Sequence, residues 1–262
     1  MNTPLILITN DDGIQAAGIQ ALTRAVAAIG DIYVVAPSGA RSGAACAITA
    51  TMPVTYREIP CHPDYPAQVH LFECSGTPVD CVKLAWDNIL PRTPDLLLSG
   101  INHGDNASIS VHYSGTMGAV FEGCMKDIPS IGLSLYLQRG QRYEEHPVSA
   151  DTLAAITRLC QHVIERGLPQ DVCLNINFPV AETFRGWQVC RQARGRWTAE
   201  WASATNPHGL KAYWLTGQFN DLEPEATDTD FAALRAGYAS IVPVTIDMTA
   251  HSVLQQINEL TD

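Results

Sequence analysis

The sequence predicts an α/β protein built on a three-layer, Rossmann-like, doubly wound and mainly parallel sheet, with a C-terminal β-hairpin excursion. Three observations carry this expectation. Short apolar runs such as Leu5-Ile6-Leu7-Ile8, Ile32-Tyr33-Val34-Val35-Ala36 and Leu96-Leu97-Leu98 alternate with segments of helical periodicity. Polar loops containing glycine follow several of those runs, where an open α/β sheet binds its ligands. Past Pro179 the alternation gives way to a stretch rich in tryptophan.

Leu5 to Ile8 read as a strand buried on both faces, ending in Thr9-Asn10-Asp11-Asp12-Gly13. Ile19, Leu22, Val26 and Ile29 then recur at helical spacing, and Gly30 suits the stop. Ile32 to Ala36 form a second strand and close a βαβ unit, followed by the polar loop Pro37 to Gly43. Residues 44–75 read as short strands and connections, with turns between Pro60 and Pro66. Thr77-Pro78-Val79-Asp80 is a helix start, with an N-cap threonine, proline at the first helical position and an acid at the third. That helix runs through Val82 and Trp86 towards Ile89.

Pro94 to Ser99 form another buried strand, leading into the loop Gly100 to Asn106. Tyr113-Ser114-Gly115-Thr116 precede a helix carrying Val120, Phe121 and Cys124. Pro129 to Leu135 make a further strand, then a helix over about 150–166 ends at Gly167. Val172 to Ile176 complete the alternation. The chain accordingly divides into a Rossmann-like core, 1–180, and a C-terminal region, 181–262. The latter holds the hairpin, a late strand from Gly237 to Val244 and a closing helix from His251 to Leu260. Trp187, Trp197, Trp201 and Trp214 crowd into residues 184–220. So much aromatic surface points either to a partner subunit or to a hairpin folded back on its own sheet.

Composition narrows the function. The chain has 262 residues, 46% hydrophobic and 16% charged, as a globular domain of ordinary core size has. A net charge of −11 argues against a duplex nucleic-acid partner. It leaves small phosphorylated substrates open, because a bound cation reverses the local field. There is no signal-peptide pattern and no apolar run long enough for a bilayer, so a cytoplasmic location is expected and no membrane partner. Eight cysteines include no Cys-x-x-Cys pair and read as small core hydrophobes.

The adjacent carboxylates Asp11 and Asp12 repel each other unless a cation neutralises them, and a hard divalent ion is a natural partner. The alternative is that they turn the chain and cap the next helix. Four loops fall at strand ends or helix starts: Asn10 to Gly13, Ala40 to Gly43, Ser99 to Asn102, and Tyr113 to Thr116. Together they offer two carboxylates, a hydroxyl and an amide carbonyl, which is an open oxygen site for Mg²⁺ or Mn²⁺. Free N–H groups of the helix beginning near Thr116 suit phosphate. His103 and His112 are candidates for proton donation or phosphate contact, or are ordinary loop histidines. Arg41 can pair with phosphate, or structurally with the sheet edge or Asp31, whereas Lys83 and Lys126 read as solvated helix faces and Trp86 as core. A nicotinamide-dependent oxidoreductase is disfavoured, since Asn-Asp-Asp-Gly stands where Gly-x-Gly-x-x-Gly belongs.

Six motifs in order resemble the SurE family of stationary-phase survival proteins, which are metal-dependent 5′-nucleotidases. They are Thr-Asn-Asp-Asp-Gly-Ile (9–14), Val-Val-Ala-Pro (34–37), Arg-Ser-Gly-Ala (41–44), Gly-Thr-Pro-Val-Asp-Cys-Val (76–82), Pro-Asp-Leu-Leu-Leu-Ser-Gly-Ile-Asn-His-Gly (94–104) and Tyr-Ser-Gly-Thr-Met-Gly-Ala (113–119). Asn175 to Phe178, Thr229-Asp230 and Ser240 to Val244 resemble later landmarks of the family. The resemblance implies one divalent cation, Mg²⁺ or Mn²⁺, on Asp11, Asp12, Ser42 and Asn102, with Asp11, Asp12 and Asn102 as catalytic residues. It implies phosphate or substrate contacts from Asn10, Gly43, Asn106, Ser114, Gly115 and Thr116.

The implied substrates are nucleoside 5′-monophosphates, with 3′-monophosphates and short polyphosphate as further candidates. Water attack at phosphorus is expected rather than an aspartyl-phosphate on Asp11. The family also implies a homodimer or homotetramer with an exchanged hairpin. A non-catalytic nucleotide sensor is the alternative reading. The chain departs from the family at Ala40 and Ala45, where Asn and Ser are frequent, and near Ser108, where glycine is.

Overall fold

In the computed structural model, which describes residues 3–61, 65–66, 68–138 and 140–261, β1 (Leu5–Thr9) runs through the middle of a nine-stranded sheet. Its alternation sorts its side chains to two cores. Ile6 and Ile8 face one layer and Leu7 the other. On the first face lie α1 (Ala17–Val26), contributing Ile19, Leu22 and Val26, and the later α4 (Ala150–Arg166), contributing Ile156, Cys160 and Val163. On the second lie α2 (Pro78–Leu84) and α3 (Gly115–Cys124), whose Cys81, Val82, Met117 and Val120 enclose Leu7. This is the three-layer arrangement expected from buried parallel strands.

The remaining strands of the first half are β2 (Asp31–Pro37), β3 (Tyr56–Ile59), β4 (Val69–Cys74) and β5 (Leu96–Asn102). They are followed by β6 (Ser130–Tyr136), β7 (Val172–Pro179) and β8 (Trp187–Val189). Then come β9 (Gly195–Thr198), β10 (Trp201–Thr205), β11 (Lys211–Leu215), β12 (Gln218–Asp221), α5 (Asp230–Arg235), β13 (Ala239–Thr245) and α6 (Leu254–Asn258).

The sheet order is β3-β4-β2-β1-β5-β6-β7-β13-β8. Pairings from β4 through β7 are parallel, while β3 on β4 and β13 on β7 are antiparallel. The chain leaves β1 first towards β2 and β4, then returns to place β5 on the other side of β1. That reversal opens a crevice beyond the carboxyl ends of β1 and β5, where doubly wound sheets bind ligands.

Several elements differ in detail from the sequence reading. The first helix stops at Val26, and a turn leads to Gly30. The helix from Pro78 passes into a π-helical turn at Ala85–Ile89 after Leu84. Its start is a full capping box: Thr77 Oγ1 accepts the Asp80 N–H at 3.1 Å and Asp80 Oδ2 accepts the Thr77 N–H at 2.8 Å. β5 continues through Asn102, so part of the second polar loop is strand. The closing helix is a 3₁₀ turn, His251–Val253, followed by α6, with every side chain exposed. Lys83 and Lys126 are not simply solvated. Both meet the buried Glu122, at 2.9 and 3.6 Å, and Lys126 also sits over Trp86, which is only partly buried.

Six of the eight cysteines are buried, whereas Cys46 and Cys61 are exposed. The expected turns between Pro60 and Pro66 fall partly outside the described residues. Among the described residues no helix is long and apolar enough to cross a membrane. The tryptophan-rich stretch forms two antiparallel pairs, β9 with β12 and β10 with β11. Trp187 turns back onto the main sheet, against Phe178 and Phe184, while Trp201 and Trp214 stand 65% and 68% exposed.

Candidate metal and phosphate site

The turn after β1 is closed by its own asparagine. Asn10 is buried; its amide nitrogen donates to the Gly13 carbonyl at 2.9 Å and its oxygen accepts the Gly13 N–H at 3.2 Å. Gly13 has φ +100°, a conformation that glycine adopts without strain. Asn10 therefore shapes the loop and does not line the cavity beyond it, and the residues it presents there are Asp11 and Asp12.

A cavity of about 430 Å³ opens at this point, within the ~300–1,000 Å³ usual for small-molecule sites. Asp11, Asp12, Ser42, Gly43, Asn102, Asn106 and Ser114 line it. The Arg41 N–H donates to the Asp11 carbonyl at 2.7 Å, which fastens the Ser42-Gly43 loop to the aspartate turn. The Arg41 guanidinium itself donates to the Ser75 carbonyl at 2.8 Å, just past the end of β4, so its pairing is a structural one beside the sheet and involves neither Asp31 nor the cavity. Asn102 donates from its amide nitrogen to the Gly104 carbonyl at 2.8 Å, which leaves Oδ1 as the atom free to accept or ligate.

Asn106 is held from three directions. Its N–H donates to Asn177 Oδ1 at 2.7 Å, its amide nitrogen donates to Ser134 Oγ at 2.8 Å, and its carbonyl accepts from Asn175 Nδ2 at 2.8 Å. Ser114 caps α3 by accepting the Met117 N–H at 3.0 Å. The N–H groups of the first turn, at Gly115 and Thr116, have no acceptor within their helix. Gly115 is required for proximity: a Cβ there would stand 2.9 Å from the Asp11 Cβ and 3.0 Å from Oδ2. Thr116 lies behind the cavity and donates its hydroxyl to Asp11 Oδ1 at 2.5 Å.

Whether these groups suit a hard cation is decided by the carboxylates. Asp11 is 5% exposed, and burial, reinforced by Asp12, pushes its carboxyl up to about 6 despite the Thr116 hydrogen bond. Burial raises Asp12 as well, against the opposing effect of His103, whose N–H donates to Asp12 Oδ2 at 3.0 Å. Among the described residues neither carboxylate pairs with a lysine or arginine. Two converging, poorly compensated carboxylates beside a hydroxyl and an amide oxygen are an all-oxygen donor set that fits Mg²⁺ or Mn²⁺.

The two candidate histidines separate. His103 lines the cavity, but its Nε2 accepts the Gly18 N–H at 3.1 Å and its ring stacks on Tyr143 with centroids 4.2 Å apart. It is a positioned wall residue with one ring nitrogen already engaged. His112 is exposed and lies off the cavity.

Three kinds of residue had no site role in the sequence reading, although Asn175 to Phe178 and Thr229-Asp230 were marked there as family landmarks. Asp105 lines the cavity and burial pushes its carboxyl up to about 6; its place beside Asn106 in the loop after β5 was the available signal. Asn175 and Asn177, spaced two apart, share one face of β7 and bind the Asn106 backbone. Asp230, fully buried, accepts the N–H groups of Ser108 at 2.7 Å, Ala193 at 3.0 Å and Phe231 at 2.8 Å. Ser108 has φ +51°, a left-handed conformation held here by that bond and by its hydroxyl donating to the Ala193 carbonyl at 2.9 Å.

Comparison with known proteins places this geometry. A family model described as "Survival protein SurE" matches residues 6–199. The protein named 5′-nucleotidase SurE from Phocaeicola vulgatus is 46% identical over 97% of this chain and 95% of its own length. The protein of the same name from Bacteroides fragilis is 45% identical over 97% and 96%. The crystal structure of the SurE protein from Aquifex aeolicus superposes with a TM-score of 0.80 at 32% identity, covering 99% of this chain and all of that one. With its sheet order, its aspartate turn at the switch point and near full-length similarity to these proteins, the chain belongs to the SurE family.

Proposed function

We propose that this protein is a 5′-nucleotidase, a divalent-metal-dependent phosphomonoesterase that hydrolyses nucleoside 5′-monophosphates to nucleoside and phosphate. The observation that carries this reading is the convergence of Asp11, Asp12, Ser42 and Asn102 on one cavity, with the start of α3 behind it. Those four residues would hold the cation, whose role when bound is Lewis-acid polarisation of the phosphoryl group and charge neutralisation. Asn106, Ser114 and the first N–H group of α3, at Gly115, bind phosphoryl oxygens, as the dipole of a helix N-terminus favours, while the Thr116 N–H serves the Asp11 carboxylate. Gly43 lines the cavity with φ +75°, a conformation that glycine adopts without strain. Three buried hydrogen bonds hold Asn106, so it is ordered before substrate arrives. The names carried by relatives, 5′-nucleotidase SurE, support the same reaction.

Residues 1–180 are assigned as the catalytic core. The region 181–262 supplies an assembly surface for a homodimer or homotetramer, centred on Trp201, Tyr213, Trp214 and Leu215, which are 59–69% exposed. The deciding experiment is phosphate release from nucleoside 5′- and 3′-monophosphates and short polyphosphate with Mg²⁺, Mn²⁺ or EDTA. Metal-dependent turnover of the 5′-monophosphates, lost in a folded Asp12→Asn variant, is the expected result. Nucleotide binding with no release under any metal condition overturns the enzymatic reading in favour of a sensor.

A further inference from the structure

The cavity has a wall that phosphate chemistry leaves unused. Trp197 of β9, Glu200 of the β9–β10 connection, and Leu215 and Thr216 at the end of β11 all border it. Trp197 is fixed from behind by a chain of rings. It meets Phe219 edge-on at 5.7 Å, Phe219 meets Phe231 at 4.8 Å, and Phe231 meets Tyr136 of β6 at 5.9 Å. Gly217 passes so close that a Cβ would lie 3.1 Å from Trp197 Cε3. The indole is thus a pre-ordered flat surface on the cavity, the kind on which nucleobases stack.

Glu200 is exposed, and its carbonyl accepts the Thr216 N–H at 2.7 Å, which fixes its backbone. Its carboxylate has no hydrogen-bond or ion-pair partner among the described residues. Beside Asp11, Asp12 and Asp105, a further negative charge repels phosphate, so its use lies with another part of the ligand. A carboxylate only accepts hydrogen bonds, and two parallel donors suit its two oxygens best. Guanine offers such a pair, N1–H beside the 2-amino group. Adenine and cytosine place a ring acceptor next to their amino group. Uracil flanks its N3–H with carbonyls, and hypoxanthine has the N1–H without the amine.

We propose that Trp197 and Glu200 form a base subsite, with the indole as stacking platform and the carboxylate selecting guanine nucleotides. This rests on the nucleotidase reading and specifies its substrate. The test is kcat/KM, with Mn²⁺, for GMP, IMP and base-free ribose 5-phosphate in the wild type, Glu200→Gln, Trp197→Ala and Trp197→Phe. Wild type should prefer GMP over IMP by about ten-fold or more, the usual size of a lost hydrogen bond to a charged group. Glu200→Gln should collapse that ratio through its effect on GMP. Trp197→Ala should lower GMP and IMP together by about five-fold or more relative to ribose 5-phosphate, and Trp197→Phe should restore much of the loss.

A wild-type GMP:IMP ratio near one, or a ratio unchanged in Glu200→Gln, overturns the base subsite while leaving phosphatase activity standing. Absence of turnover on every ester overturns the nucleotidase reading instead. Fluorescence titration of the same variants with GMP and IMP then decides the subsite by the same ratios.

Discussion

On the proposed reading, in which Asp11 helps hold the cation, a proton on its carboxyl competes with the metal. Burial and the neighbouring Asp12 push its carboxyl from 3.8 to about 6 in the metal-free protein. A carboxyl must be ionised to ligate. With that value, about one molecule in eleven carries Asp11 ionised at pH 5 and about ten in eleven at pH 7. Apparent Mn²⁺ affinity should therefore rise about ten-fold from pH 5 to pH 7 from this group alone. The stability of the metal-free protein moves the other way. The raised folded value means the folded state keeps a proton that the unfolded chain has released. Stability is fully present below about 4 and declines through about 6, by about 3 kcal/mol for a two-unit shift.

Calorimetric Mn²⁺ titration at pH 5, 6 and 7, in buffers of different ionisation enthalpy, reads both the affinity and the protons released. Asp11→Asn should flatten the pH dependence and weaken binding. Asp105→Asn, which alters a carboxyl raised to a similar value but outside the assigned ligands, should keep the slope. Constant affinity across this range, with no proton release, would refute the assignment of Asp11 as a ligand ionised against its environment.

Three further outcomes follow from the packing. Asp230→Ala leaves three backbone N–H groups without their acceptor and should cost about 3–5 kcal/mol in urea unfolding, with a raised KM because Ser108 follows Asn106 by two residues. A loss under about 1 kcal/mol would mean that water replaces the carboxylate freely. Gly115→Ala places a Cβ 2.9 Å from the Asp11 Cβ and should lower kcat/KM by about ten-fold or more through displacement of α3 or Asp11, with smaller losses in Tm. Trp214→Ser, at a 68% exposed position, should shift the protein to a smaller species in sedimentation velocity while the thermal transition of the core changes little.

The sequence by itself determined the parallel sheet and its order of elements. Apolar runs buried on both faces have few other stable environments, and the capping box at Thr77-Asp80 and the stop at Gly167 act over a few residues each. The aspartate turn was legible for the same reason: its hydrogen bonds join neighbours in sequence. What it left undecided were contacts made at long separation. Lys83 on Glu122, Asp230 on Ser108 and Asn175 on Asn106 bridge 39, 122 and 69 positions, and no local pattern encodes such partners.

The tryptophan-rich stretch shows the division most clearly. Composition marked it as aromatic surface, but only the tertiary structure distributed it. Trp187 packs on the main sheet, Trp197 faces the cavity, and Trp201 and Trp214 face outwards. Strand alternation fixes which side chains share a face. Which face meets the core, a ligand or solvent is set by where the ribbon is carried, and here the Phe219–Phe231 contact anchors it beside the aspartate turn.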